Sequence, residues 1–82
     1  MNNGTHRPLH AIAAEIARDW SKPYFGAIPY LRAMMTMDKI SGAYGYDSGQ
    51  SIVAYFIANA ATWRGDTARR VKAELRAMLK DR

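Results

Sequence analysis

The sequence predicts an all-α protein, folded as a compact bundle or orthogonal array of four short helices. Two observations carry this prediction. Apolar residues recur at three- and four-residue spacing through four successive segments, and glycine, proline or capping residues separate those segments. The chain has 82 residues, of which 49% are hydrophobic, which is enough for one small core. We therefore expect one helical domain over residues 8–82, preceded by a flexible N-terminal tail over residues 1–7.

The first two helices are predicted over residues 8–21 and 29–44. Pro23 ends the first helix, because the residue before a proline avoids the helical backbone conformation. Pro29 suits the first turn of the second helix, where a missing N–H costs no hydrogen bond. Gly45 is expected to end that helix in the left-handed conformation, which glycine adopts without strain.

The third and fourth helices are predicted over residues 48–63 and 67–80. Asp47 or Ser48 can cap the third helix, which is apolar on nearly every side and is therefore expected to be the most buried. Gly65 is expected to separate it from the fourth. The third segment is rich in β-branched and aromatic residues, but no second strand is available to pair with it, so the helical interpretation is favoured.

The apolar faces of these helices predict which side chains form the core. The faces can leave water only by packing against one another. A core of this size gives a short domain modest stability. The predicted core residues are Ile16, Trp20, Leu31, Ile52, Phe56, Ile57, Val71 and Leu75.

Five short segments stand out along the chain. They are Asp19-Trp20, Pro23-Tyr24-Phe25-Gly26-Ala27, Tyr44-Gly45-Tyr46-Asp47-Ser48-Gly49, Trp63-Arg64-Gly65 and Arg70-Val71-Lys72-Ala73-Glu74-Leu75. Taken together they resemble a group of short uncharacterised proteins of mycobacteriophages and related actinobacterial genomes. The resemblance implies a small protein made in the cytoplasm of a bacterial host cell. By analogy with other phage accessory proteins it also implies binding to a host or phage macromolecule, and it brings no site residues with it.

The composition disfavours catalysis, metal binding and membrane insertion. The chain has no cysteine, which removes disulfides and thiolate chemistry and fits a reducing compartment. No apolar run reaches about 18 residues, so no membrane-spanning segment is expected. His6 and His10 have a metal-ligand spacing, but no third ligand follows, and no serine has a histidine on a supporting element. We therefore expect no metal, no cofactor and no enzymatic activity.

Positive charge is concentrated at the C-terminal end of the chain. Residues 64–82 hold seven basic and three acidic residues and so carry +4 of the net +5. A cationic stripe along a helix can follow phosphates, which supply most nucleic-acid affinity. A solvated helix face is the alternative interpretation. No aromatic residue interleaves the stripe to stack on bases, so we expect weak, nonspecific binding at most. The candidate nucleic-acid-binding residues are Arg69, Arg70, Lys72, Arg76 and Lys80.

A helix-turn-helix built from the third and fourth helices is a sharper form of this hypothesis. Ala61, Gly65 and Val71 fit the small, glycine and β-branched positions of that motif. Arg64, Asp66 and Glu74 do not fit, because they place charge where apolar side chains would pack the two helices together.

The chain is also rich in aromatic residues, with five tyrosines, two tryptophans and two phenylalanines. Most are expected in the core, but Tyr24, Phe25, Tyr44, Tyr46 and Tyr55 cannot all be central. An exposed group of aromatic and methionine side chains would form a protein-binding surface, because these types are enriched at interfaces. Burial of such a surface between two copies would give a homodimer. The candidate protein-interaction residues are Tyr24, Phe25, Met34, Met35, Tyr44 and Tyr46.

The leading functional hypothesis is a small non-enzymatic accessory protein that acts by binding a host or phage protein. The alternative is a nucleic-acid-binding module that uses the basic C-terminal helix. The two differ in what they bind: a defined protein in the first case, and nucleic acid with an affinity that falls steeply with salt in the second.

Overall fold

The computed structural model describes residues 6–44 and 47–80, and it confirms the all-α class. The helices are α1 (Leu9–Asp19), α2 (Ile28–Met34), α3 (Gly49–Ala58) and α4 (Asp66–Lys80). A 3₁₀ turn, Phe25–Ala27, leads directly into α2. Directly before α3, the two-residue strands β1 (Ala43–Tyr44) and β2 (Asp47–Ser48) pair in antiparallel fashion.

The four helices form a ring around one core. α1 packs against α2 and α4, and α3 packs against the same two helices from the other side. Every predicted core residue except Ile57 is buried, and Ile57 is half-buried against the same cluster. Phe56 is the largest side chain that is fully buried, which places α3 at the core as predicted.

α2 is shorter than the sequence predicts, because it ends at Met34 and not at residue 44. After Met34 the backbone continues with hydrogen bonds that span three residues, and the Thr36 hydroxyl donates to the carbonyl of Ala33 at 2.8 Å. The apolar spacing continues past this point, which is why the sequence prediction was wrong. Gly45, the predicted end of this helix, lies outside the described residues.

The segment after α2 completes the N-terminus of α1. The N–H groups of Leu9 and His10 donate to the carbonyls of Asp38 and Met37 at 2.8 and 2.9 Å. A helix leaves its first N–H groups without partners, and Pro8 has no side chain that could accept from them. The backbone of a distant loop therefore takes the place of a capping side chain.

α3 begins where the sequence predicts and ends early. Ser48 is its N-cap, and its Oγ accepts from the N–H of Ser51 at 3.1 Å. The helix ends at Ala58 and not at residue 63. The connection to α4 is residues 59–65, longer than the turn of about three or four residues that a helix-turn-helix requires. The helix-turn-helix hypothesis is therefore wrong.

Glycine is required at two positions around α3 and α4. A Cβ at Gly49 would lie 2.1 Å from the carbonyl oxygen of Ile40, because the two backbone segments touch there. The N–H of Gly49 donates to the carbonyl of Gly42 at 2.8 Å and holds this close approach. Gly65 has a positive φ of 113°, which other residues rarely adopt, and it directly precedes α4.

Four charged side chains close the seam between α1 and α4. The guanidinium of Arg7 donates to both carboxylate oxygens of Glu74, at 2.9 and 2.7 Å, and to Glu15 at 2.8 Å. Arg70 of α4 also pairs with Glu15. Hydrogen bonds from Arg70 and then from Arg7 lower the pKa of Glu15. Arg7 falls in the predicted flexible tail, yet these contacts fix it against both helices.

Candidate interaction surface

The seam between α2 and α3 lies across the ring from that ion-pair network, and it carries aromatic side chains. Tyr30 of α2 and Tyr55 of α3 meet there with their ring centroids 5.3 Å apart. The 3₁₀ turn rests against the C-terminal end of α3, since a Cβ at Gly26 would meet Oδ1 of Asn59 at 2.8 Å. The start of α2 and the end of α3 therefore form one continuous surface.

Two further rings stand at the 3₁₀ turn. Tyr24 and Phe25 pack against each other with centroids 4.9 Å apart. Phe25 is 76% exposed, Tyr55 is 50% exposed and Tyr24 is 45% exposed. A phenylalanine left in water forgoes about 1.5–3 kcal/mol that burial would supply. Phe25, the most exposed of the three rings, therefore contributes little to the stability of the free domain.

The outer side of α3 extends this surface without any charge. No charged residue occurs from Ser48 to Trp63. Ala54 and Ala58 are exposed and lie on the same side of α3 as Tyr55, because residues three and four apart share a helix face. We call the combined surface the aromatic face; its residues are Tyr24, Phe25, Tyr30, Ala54, Tyr55 and Ala58.

The structure divides the predicted interaction residues into three groups. The Tyr24–Phe25 pair and Met35 are exposed. Met34 is fully buried, so its assignment to the surface was wrong: it lies on the side of α2 that faces the core. The side chain of Tyr44 and all of Tyr46 lie outside what the structure describes. Sequence reasoning missed the alanines of α3, although the absence of charge from that segment could have indicated them.

The basic stripe of α4 is partly engaged by the chain itself. Arg69 pairs with Asp66 one turn earlier on the same helix, and Arg70 pairs with Glu15 of α1. Two of the five candidate nucleic-acid-binding residues thus already have carboxylate partners. A phosphate would have to compete with those carboxylates for each guanidinium.

Lys72 is also held internally. Its Nζ donates to the carbonyl of Trp63 at 2.7 Å and lies 5.9 Å from the centre of that indole ring. Burial lowers the pKa of Lys72, and the neighbouring charges of Arg76 and Arg64 lower it further. Arg76 and Lys80 are exposed and have no partner among the described residues. The stripe that remains for an external anion is therefore shorter than the sequence predicts.

Two of the five segments that stand out in the sequence, those containing Trp20 and Trp63, meet in the core. The indole rings of Trp20 and Trp63 stack with centroids 5.8 Å apart, and the Phe56 ring packs edge-on against both. The indole N–H of Trp63 donates to Asp19 at 2.8 Å. These contacts join the end of α1 to the connection between α3 and α4, so these segments stabilise the fold.

A catalytic arrangement does not emerge from the described residues. Within residues 6–44 and 47–80, no three histidine, aspartate or glutamate side chains come together to hold a metal ion. A hollow of about 320 Å³ in the loop after α2 is lined by Asp38 and Ser41, among others. Asp38 lies 3.9 Å from His10, and both side chains face solvent. The hollow is open to solvent, whereas a closed active site expels water from around its substrate.

Comparisons with known proteins do not assign the chain to a family. Protein-family models, curated proteins and solved structures all yield no match. Across the part of the chain that the structure describes, no helix is both long enough and apolar enough to cross a bilayer. The function therefore has to be argued from the surface of this chain.

Proposed function

We propose that this chain is a small non-enzymatic interaction protein that binds another protein, of a bacterial host or a phage, through its aromatic face. The exposure of Phe25, Tyr24 and Tyr55 beside the uncharged side of α3 carries the proposal. The buried centre of a protein interface is depleted in charge and enriched in aromatic side chains. The aromatic face has both properties.

The energetics of the aromatic face favour a binding role. Phe25, which is 76% exposed, would gain most of the about 1.5–3 kcal/mol that full burial of a phenylalanine supplies, and the half-buried Tyr55 would gain less. Interface hot spots typically contribute about 2 kcal/mol or more. Tyr55 is already oriented by its contact with Tyr30, so little side-chain entropy remains to be lost when a partner binds.

The resemblance to mycobacteriophage proteins supports the biological setting of this proposal. It implies a setting in the cytoplasm of a bacterial host cell, where small phage proteins often act by binding a macromolecule. Nucleic-acid binding by α4 is the alternative function. The exposed Arg76 and Lys80 favour it, and three contacts made by Arg69, Arg70 and Lys72 within the chain weaken it.

Affinity capture from a mycobacterial lysate, with and without nuclease treatment, tests the proposal. The decisive variant is Phe25→Ser combined with Tyr55→Ser, since both side chains are at least half exposed and their loss should leave the fold intact. Met35→Ser is the matched control, because Met35 is a similarly exposed apolar side chain outside the aromatic face.

We expect wild type and the Met35→Ser control to retain the same defined protein, and the double variant to lose it. Circular dichroism should give the same helical spectrum for all three. Retention of that protein by the double variant would contradict the proposal. Capture of nucleic acid alone, lost after nuclease treatment, would favour the basic helix instead.

A further inference from the structure

Four of the five carboxylates whose side chains the structure describes are already engaged by the chain itself. Glu15 and Glu74 pair with arginines at the α1–α4 seam. Asp19 accepts from the Trp63 indole, and Asp66 pairs with Arg69. The fifth, the exposed Asp38, lies 3.9 Å from His10, beyond hydrogen-bond distance.

Many of the cations, in contrast, remain available. Seven have no ion-pair or hydrogen-bond partner among the described residues: Arg18, Lys22, Arg32, Lys39, Arg64, Arg76 and Lys80. Because four of the five described carboxylates are engaged within the chain and these bases are not, the uncompensated charge that the described residues present to a partner is positive. The net charge of +5 has the same sign.

Two of these cations flank the aromatic face. Lys22 lies just before the Tyr24–Phe25 pair, and Arg32 lies seven residues after Phe25 on the same side of the helical segment 25–34. The sequence segments that build and border the face, 20–37 and 48–65, contain no aspartate and no glutamate.

We propose that the partner is an acidic protein segment, in which aspartate and glutamate residues surround an apolar side chain that docks on the aromatic face. The proposal rests on the proposed function above. Exposed charges at the rim of an interface steer the approach of an oppositely charged partner and reject partners of like charge. Lys22 and Arg32 would do so here.

Charge argues against a second copy of this chain as the occupant. It would set the same cations against one another, and Asp38 is the one described carboxylate it could bring that is not already held by an arginine or a hydrogen bond. Single-stranded nucleic acid could stack on the rings, but the side of α3 that carries Ala54 and Ala58 offers no cation to its phosphates.

Selection from a displayed library of random 16-residue peptides tests the partner chemistry directly. Wild-type protein is the bait, and the variant with Phe25→Ser and Tyr55→Ser is used for counter-selection. We expect the retained peptides to contain an aromatic or aliphatic residue and a clear excess of aspartate and glutamate over lysine and arginine. Their binding should weaken as salt is raised, because exposed charges are screened.

The two possible failures of this selection are distinguishable. If no peptide depends on the aromatic face, both the proposed function and the partner chemistry are contradicted. If face-dependent peptides are selected without an acidic excess, the binding function stands and the inference of an acidic partner is overturned.

Charge-neutral variants locate the acidic contacts. Titration of one selected peptide should show a loss of affinity of about two- to fivefold for Arg32→Gln, which is the usual size of a rim charge effect. Lys39→Gln is the matched control and should have no effect. Lys39 is an exposed cation in the loop after the C-terminal end of α2, whereas the 3₁₀ turn of the aromatic face lies at the N-terminal end of that helix. Equal effects of the two substitutions would overturn the proposal.

Two further measurements exclude the other occupants. Sedimentation of the wild-type protein should show a monomer. If wild type is instead a dimer and the double variant is a monomer, the aromatic face binds a second copy and the inference is overturned. An oligothymidine of about 16 nucleotides, long enough for a typical single-strand site, should bind more weakly than the selected peptide. Tighter binding that requires Phe25 and Tyr55 would overturn the acidic-protein inference.

Discussion

Gly49→Ala adds one carbon atom where the backbone leaves no room for it. The new Cβ would lie 2.1 Å from the carbonyl oxygen of Ile40 and 2.7 Å from its carbonyl carbon. Carbon atoms normally approach other heavy atoms no closer than about 3.5 Å. No change of rotamer can relieve the overlap, because every atom involved belongs to the main chain or is fixed to it.

The expected loss of stability can be worked out from the contacts at Gly49. Separating the two segments by about 1.4 Å, the shift that a normal contact distance demands, is an overpacking distortion that typically costs about 1–3 kcal/mol. The shift would also weaken the hydrogen bond from Gly49 to Gly42, which at 2.8 Å contributes about 0.5–1.5 kcal/mol. We therefore expect a loss of about 2–4 kcal/mol, out of a total stability of about 4–12 kcal/mol for a chain of this length.

Denaturant titration followed by far-ultraviolet circular dichroism measures this loss. Gly65→Ala is the control, because a Cβ at Gly65 meets nothing within 4 Å and only its positive φ of 113° opposes the substitution. Backbone strain of that kind costs about 1–3 kcal/mol. An unfolding midpoint for Gly49→Ala equal to that of wild type would refute the close approach of Ile40 and Gly49.

Three other substitutions probe the core, the ion-pair network and the aromatic face. Phe56→Ala should cost about 3–5 kcal/mol in the same titration, since the ring is fully buried, and a smaller effect would contradict the central place of α3. Glu15 has a pKa below its ordinary value of 4.5, so its contribution to stability is complete above that value and is lost as the pH falls through the lowered pKa. Glu15→Gln should therefore make stability less dependent on pH in acid, and an unchanged pH profile would contradict the contacts with Arg70 and Arg7. Phe25→Ser should change stability by no more than about 0.5 kcal/mol, and a larger loss would mean that the ring is structural.

The fold class and the core follow from the sequence because they depend on local signals. Apolar spacing places Ile16, Phe56 and Leu75 on inward helix faces, and a helix face can leave water only by packing. Helix starts are equally local. Ser48 caps α3 by accepting from a residue three positions ahead, and Pro29 lies in the first turn of α2.

The end of α2 does not follow from the sequence, because it depends on contacts between distant segments. Tyr30, Met34 and Met37 keep helical spacing, and nothing local stops the helix at Met34. The chain turns away because the carbonyls of Met37 and Asp38 satisfy the N-terminal N–H groups of α1. The apolar spacing of one segment cannot show that α1 lacks a capping side chain, or that its N–H groups will donate to the carbonyls of this loop.

The candidate site was predicted only in part, because it too depends on contacts between distant segments. Sequence composition indicates that some aromatic residues are exposed, but which ones depends on how α2 rotates about its axis. Met34 and Met35 are adjacent in sequence, and only the packed structure shows that the first is buried and the second is exposed. The basic stripe was predicted as a unit, whereas Arg70 in fact pairs with Glu15 on a helix 55 residues away.

The distribution of charge between the two seams connects the stability of this domain to its proposed function. The α1–α4 seam uses Glu15 and Glu74 to hold two helices and the segment containing Arg7. The two helices of the α2–α3 seam, in contrast, contain no acidic residue. At the α1–α4 seam the chain itself supplies both apolar burial and opposite charge. A partner with carboxylates around an apolar side chain would supply the same two kinds of contact at the α2–α3 seam.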